Sequence, residues 1–124
     1  MVDRSDCEQL HHLPDSVRRE IAILARQKKC RTSVWTPDIP TEWQPHTVRD
    51  RRGDFFTDSG AWEFLADLVE SGCPAKPVPL DHPPGKRGWA IIIRLNADAP
   101  EIYIKIRLGS GKLIGYSFHY SRFS

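Results

Sequence analysis

Cysteine is scarce in this chain and unpatterned. The three cysteines, at 7, 30 and 73, form no Cys-x-x-Cys pair, and their odd number excludes a complete disulfide framework. Long apolar runs are missing too. Nothing approaches the roughly 18 consecutive apolar residues that a membrane-spanning helix needs. The opening Met1–Asp15 stretch has no apolar core of the secretory kind, so no secretory signal is expected there. Reduced thiols, a cytoplasmic location and no membrane partner are the expectation. Gly-x-Ser-x-Gly, His-Glu-x-x-His, Gly-x-Gly-x-x-Gly and Walker spacings are all absent, which removes the common hydrolase, metalloprotease and nucleotide-binding readings and leaves no cofactor to expect. No internal repeat is visible.

What is present suits one domain over residues 1–124, with 40% hydrophobic and 27% charged residues. It divides into an N-terminal helix and arm over 1–56 and a helix plus sheet core over 57–124. The formal net charge is only +2, but it is unevenly spread. Residues 1–85 carry 11 Lys/Arg and 14 Asp/Glu, whereas residues 86–124 carry seven Lys/Arg against Asp98 and Glu101. A basic C-terminal third suits either a polyanionic ligand such as a phosphate backbone or a solvated basic surface.

Four stretches differ in character. Over 14–30 the spacing of Val17, Ile21, Leu24 and Ala25 predicts a helix, with Asp15 or Ser16 as its cap and Arg18, Arg19, Arg26, Lys28 and Lys29 on its other face. Over 31–56, Pro37, Pro40 and Pro45 interleave with Trp35 and Trp43, so an irregular arm is expected, held by its tryptophans or offering them to bases. Over 58–71 a helix is predicted, capped by Thr57 or Asp58, with Ala61, Trp62, Leu65, Leu68 and Val69 as its apolar stripe and Gly72-Cys73-Pro74 as its stop. A proline-rich loop follows, with a short edge strand near Val78 and Leu80. Three strands then fill 89–120, separated by turns at 96–100 and 109–111. The expected fold is α+β: an antiparallel three- to four-stranded sheet with one or two helices on one face.

The last hairpin has an explicit register. With Gly109-Ser110-Gly111 as a three-residue loop, Ile106 opposes Ile114, Ile104 opposes Tyr116 and Ile102 opposes Phe118, all toward the core. The other face then pairs Arg107 with Leu113, Lys105 with Gly115, Tyr103 with Ser117 and Glu101 with His119. That face gathers Glu101, Tyr103, Lys105, Arg107, Ser117 and His119, with Arg94 nearby, and Gly115 would leave room for a ligand on the sheet. Such a polar face is the default for an antiparallel sheet. It also holds every part that RNA cleavage by 2′-OH attack needs without metal. His119, Glu101 or Tyr103 can take the 2′-OH proton, Lys105 and Arg107 can stabilise the charged phosphorane, and His119 or a tyrosine can protonate the leaving 5′-oxygen.

The run Ile102-Tyr103-Ile104-Lys105-Ile106, followed after a short turn by Leu113-Ile114 through Ser117-Phe118-His119, resembles the C-terminal hairpin of MqsR-type toxins, within the RelE-like group of mRNA interferases. The resemblance covers about 20 residues. It implies a RelE/MqsR-like fold, a nuclease site containing Tyr103, Lys105 and His119, an RNA substrate either free or on the ribosome, and a protein antitoxin as partner. The chain departs from that family in its Trp/Pro-rich arm and in having no clear counterpart of the family's helical lysine and strand glutamine; Lys76, Lys86 and Arg87 are the stand-ins available. The basic face also suits a second class of function, a non-catalytic module that holds nucleic acid or a protein.

Two other motifs carry chemistry. The loop Asp81-His82-Pro83-Pro84-Gly85-Lys86-Arg87-Gly88 is rigid and basic, and suits either a phosphate clamp, with Lys86 and Arg87 beside Arg94 and Ser117 as substrate-binding residues, or an ordinary Pro-Gly turn. Cys7, His11, His12 and Cys30 are potential zinc ligands, but their spacing matches no common module, and no metal is expected. His46 reads as a lone surface residue.

Overall fold

The computed structural model describes residues 13–121. Helix α1 spans Asp15–Ala25, and helix α2 spans Asp58–Glu70. Six strands follow the chain as β1 (Arg31–Thr32), β2 (Glu42–Trp43), β3 (Lys76–Pro79), β4 (Arg87–Ile93), β5 (Ile102–Leu108) and β6 (Leu113–Tyr120). They form one mixed sheet in the order β1-β6-β5-β4-β3, with β2 also paired to β6. The fold is α+β, as expected, but the sheet is not purely antiparallel. Strands β3 to β6 are an antiparallel meander, whereas β1 and β2 both run parallel to β6, end to end along its edge. The arm is therefore not wholly irregular: Arg31 faces Leu113, and Trp43 faces Phe118. Two residues per strand are too few for a periodicity to reveal.

Helix α2 forms as its sequence dictates. The Thr57 hydroxyl accepts the Gly60 N–H at 2.9 Å, and Gly72 ends the helix at a φ of +86°, which glycine adopts without a Cβ penalty. Its stripe of Ala61, Trp62, Leu65, Ala66, Leu68 and Val69 is buried against Ile91, Ile102, Ile104, Ile106 and Phe118 of the sheet. Helix α1 lies on the same side, burying Ile21, Ala22 and Ala25. Its N-cap is Pro14, with no side-chain cap bond; Asp15 is already in the first turn and pairs with Arg18 at 2.8 Å. The helix ends at Ala25, and residues 28–30 form a separate 3₁₀ turn. Arg31 donates to the Ala25 carbonyl at 2.7 Å, satisfying one of the carbonyls a helix end leaves open.

The polar face of α1 is used internally. Arg26 pairs with Glu63, Asp67 and Glu70, all on one face of α2, and bolts the two helices together. The Asp67 and Glu70 carboxylates hold this guanidinium above its ordinary range. Trp43 is the anchor of the arm. It stacks on Trp62 at 4.4 Å and meets Phe118 edge-on at 5.3 Å. Trp35 is not an anchor; it stands 60% exposed. Cys30 and Cys73 are free thiols, and burial pushes that of Cys73 up. Among the described residues no helix is long and apolar enough to cross a membrane.

Candidate functional site

The face of the sheet away from the helices carries the polar constellation, but its register is not the one that a three-residue loop gives. The loop has four residues, Gly109 to Lys112, with Gly111 at a φ of +70° and the Gly109 N–H donating to the Lys112 carbonyl at 2.8 Å. Leu108 therefore opposes Leu113, Arg107 opposes Ile114 and Ile106 opposes Gly115. A β-bulge then absorbs Tyr116, and beyond it Lys105 opposes Ser117, Tyr103 opposes His119 and Ile102 opposes Tyr120. The extra residue restores the alternation for the second half of β6 and reverses it for the first.

Three expectations change as a result. Leu113 is fully buried in the core, and Ile114 takes the outer position opposite Arg107. Gly115 faces inward: a Cβ there would lie 2.5 Å from the Trp43 ring, so the glycine makes room for that tryptophan and not for a ligand. Tyr116 does not join the core cluster; its hydroxyl donates to the His82 carbonyl at 2.8 Å, and Lys105 Nζ lies 5.9 Å from its ring centre.

Tyr103 and His119 stand directly across from one another, with ring centroids 5.7 Å apart and planes inclined by 32°. His119 is 8% exposed, and its Nδ1 lies 2.8 Å from the Tyr120 carbonyl. A carbonyl can only accept, so Nδ1 carries the hydrogen, and in the neutral ring Nε2 is left with a lone pair. Burial pushes the Tyr103 phenol up, so at neutral pH it is a hydroxyl and a hydrogen-bond donor. Lys105 and Ser117 form the next pair along the strands, Ser117 being buried. Arg107 lies one further step along β5, half-buried.

Glu101 is not opposite His119. It sits at the end of the face, 3.7 Å from Arg94, which also donates to the Ala99 carbonyl at 2.8 Å. Arg94 and Glu101 thus offset each other beyond the Tyr103–His119 pair. Lys86 and Arg87 are exposed at the turn between β3 and β4, where the Leu80 N–H donates to the Lys86 carbonyl at 2.9 Å. The Tyr116–His82 bond draws that turn over the outer face.

A cleft of about 300 Å³ opens there, between the arm and the turn, with Lys105 and Tyr116 among its lining residues. Its other residues include Trp35, Glu42, Asp81 and His82. Sequence reasoning singled out the loop and the tryptophan but did not bring them together, because the bulge that turns Tyr116 outward has no signature in the residue pattern. Among the described residues no three His, Cys, Asp or Glu side chains gather as metal ligands. Of the potential zinc set only Cys30 is described; Cys7, His11 and His12 lie outside the described residues. His46 is an exposed residue of the 3₁₀ turn at Pro45–Thr47. Comparison of the chain with protein-family models, with curated proteins and with solved structures finds no match.

Proposed function

We propose that this protein is an endoribonuclease that lays an RNA strand across the outer sheet face and cleaves it by attack of a 2′-OH on the adjacent phosphate. The observation that carries the reading is the direct pairing of Tyr103 with His119, with Lys105 next along the same face. Nε2 of His119, bare in the tautomer its Nδ1 bond favours, takes the 2′-OH proton. The 2′-oxygen bonds to phosphorus, the P–O5′ bond breaks, and the products are a 2′,3′-cyclic phosphate and a 5′-hydroxyl. The departing 5′-oxygen takes its proton from Tyr103, held neutral, or from His119 once it carries the 2′-OH proton, and Lys105 and Arg107 stabilise the extra negative charge of the phosphorane. Lys86 and Arg87 extend the phosphate track at the turn. Glu101, tied to Arg94, has no part in the proton transfer.

The same resemblance that suggests the RelE/MqsR-like class suggests a cytoplasmic toxin held in check by a protein antitoxin. The test is growth on induced expression of the wild type, His119→Ala and Tyr103→Phe, with transcript 5′ ends mapped. Growth arrest with new 5′-hydroxyl ends, relieved by either substitution while the protein remains folded, is the expected result. Normal growth and intact transcripts with a well-expressed wild type refute the reading.

One observation favours a second reading. His119 and Ser117 are both at most 8% exposed, which suits a face that holds nucleic acid without cutting it. A pure binding module loses affinity on Lys105→Ala or Arg107→Ala, shows salt-dependent binding and leaves RNA intact.

A further inference from the structure

The cleft beside the Tyr103–His119 pair has features that a phosphate track does not need. Trp35 is a large flat ring left 60% exposed at its border, where 60% exposure of a tryptophan leaves an apolar surface uncovered. Lys105 is shared between the cleft and the face, two residues along β5 from Tyr103, a step of about 7 Å for an extended strand. Glu42 pairs with Ser117, and Ser117 with Lys105, so a carboxylate, a hydroxyl and an ammonium lie in one row across β2, β6 and β5. Asp81 adds a second carboxylate from the turn that Tyr116 holds in place. The volume, about 300 Å³, is at the lower end of what small-molecule sites occupy, roughly 300–1,000 Å³.

We propose that this cleft is a nucleobase subsite, in which Trp35 stacks on the base next to the bound phosphate and Asp81 and Glu42 select a base that carries an exocyclic amino group. The inference rests on the reading of the outer face as an RNA site and deepens it. Stacking on an aromatic ring tolerates any base, so it supplies affinity without choice. Choice comes from the carboxylates, which only accept hydrogen bonds when ionised. Cytosine presents an N4 amino group to them. Uracil presents a carbonyl oxygen at the same position, and two acceptors facing each other repel. At the neighbouring N3 the two bases differ in the opposite sense, a bare acceptor in cytosine and an N–H donor in uracil, so a cytidine preference reports carboxylates at the amino group and a uridine preference overturns the proposal.

The experiment measures binding of 2′-O-methyl oligocytidine and oligouridine of equal length. They have no free 2′-OH and are not cut by the proposed route. The wild type is expected to bind the cytidine oligomer about tenfold more tightly. Trp35→Ala weakens both by about tenfold. Asp81→Asn and Glu42→Gln, singly or together, erase the difference, because an amide also donates and accommodates the uracil oxygen. Trp35 and both carboxylates are surface residues, so these variants keep the fold, which circular dichroism checks. Equal binding of the two oligomers, or a preference unchanged in the carboxylate variants, overturns the subsite, and cleavage of unmodified RNA then leaves the nuclease reading standing. A cytidine preference that depends on Asp81 or Glu42, without any cleavage, upholds the subsite and refutes the nuclease. Failure to bind either oligomer overturns both.

Discussion

Substituting Gly115→Ala tests the packing of the Trp43 ring against β6. The added methyl would lie 2.5, 2.6 and 3.0 Å from three atoms of the Trp43 ring. Carbon atoms at rest sit about 3.5–4.0 Å apart, so the ring must retreat by about 1 Å. It has nowhere easy to go: Trp62 is stacked behind it and Phe118 abuts its edge, and its Nε1 donates to Asp58 Oδ1 at 3.2 Å. Overpacking of a filled core costs about 1–3 kcal/mol, and a strained or lost hydrogen bond adds about 1 kcal/mol. Removing glycine's freedom in the unfolded chain returns about 0.5–1 kcal/mol. The net loss is about 2 kcal/mol, which for a domain of this size lowers Tm by about 5–10 °C. Thermal unfolding followed by tryptophan fluorescence reads it. The same substitution in a Trp43→Leu background, where the clash is gone, costs close to nothing. A Gly115→Ala protein within about 0.5 kcal/mol of the wild type, or an equal cost in both backgrounds, refutes the argument.

Arg26→Met removes the bolt between the helices and leaves three carboxylates facing each other. Arg26 is about a third exposed and its three carboxylate partners are half to two-thirds exposed, so the cluster is screened and the expected loss is about 1 kcal/mol at low salt, shrinking in urea titrations at high salt. Tyr116→Phe leaves the His82 carbonyl without its hydroxyl partner and costs about 1 kcal/mol, with faster amide exchange at Leu80, whose bond spans the base of the turn. Because burial raises the Tyr103 phenol, the folded protein keeps its proton to higher pH than the unfolded chain does. The stability this contributes is complete below about pH 10, the unfolded value, and is lost as pH rises through the folded one. Tyr103→Phe removes that loss, so its urea midpoint falls less steeply above pH 10 than the wild type's; parallel curves would refute the assignment.

The elements legible from sequence are those in which periodicity and punctuation agree. The apolar stripe of α2, its Thr57 cap and its Gly72 stop are written in consecutive residues, and the alternating isoleucines of β5 name their own faces. The outer positions of Tyr103, Lys105, Ser117 and His119 follow from the same alternation. What the pattern does not carry is which residue meets which. Beside the bulge Gly115 meets the Trp43 ring, where a Cβ would lie 2.5 Å away, a contact between residues 72 positions apart. Compensation of a longer loop by a bulge kept four outer side chains on their expected face while moving every partner. That is why the pairing of His119 passed from Glu101 to Tyr103. The parallel additions of β1 and β2 were hidden for a related reason: two-residue strands are defined by their neighbour and not by their own composition.

Those two short strands have a consequence for how this molecule meets others. They lie along the outward side of β6, so that margin of the sheet is occupied by the protein's own arm. At the opposite margin, β3 reads Lys-Pro-Val-Pro, and Pro77 and Pro79 have no N–H to offer. A flat, unpaired strand invites a second chain to continue the sheet, and this is the usual seed of aggregation. Here one border ends in two strands of two residues each, and the other is chemically blunted by its prolines. Among the described residues, a macromolecule that adds to this sheet through its backbone finds only short or proline-interrupted edges, which favours recognition through side chains on its faces.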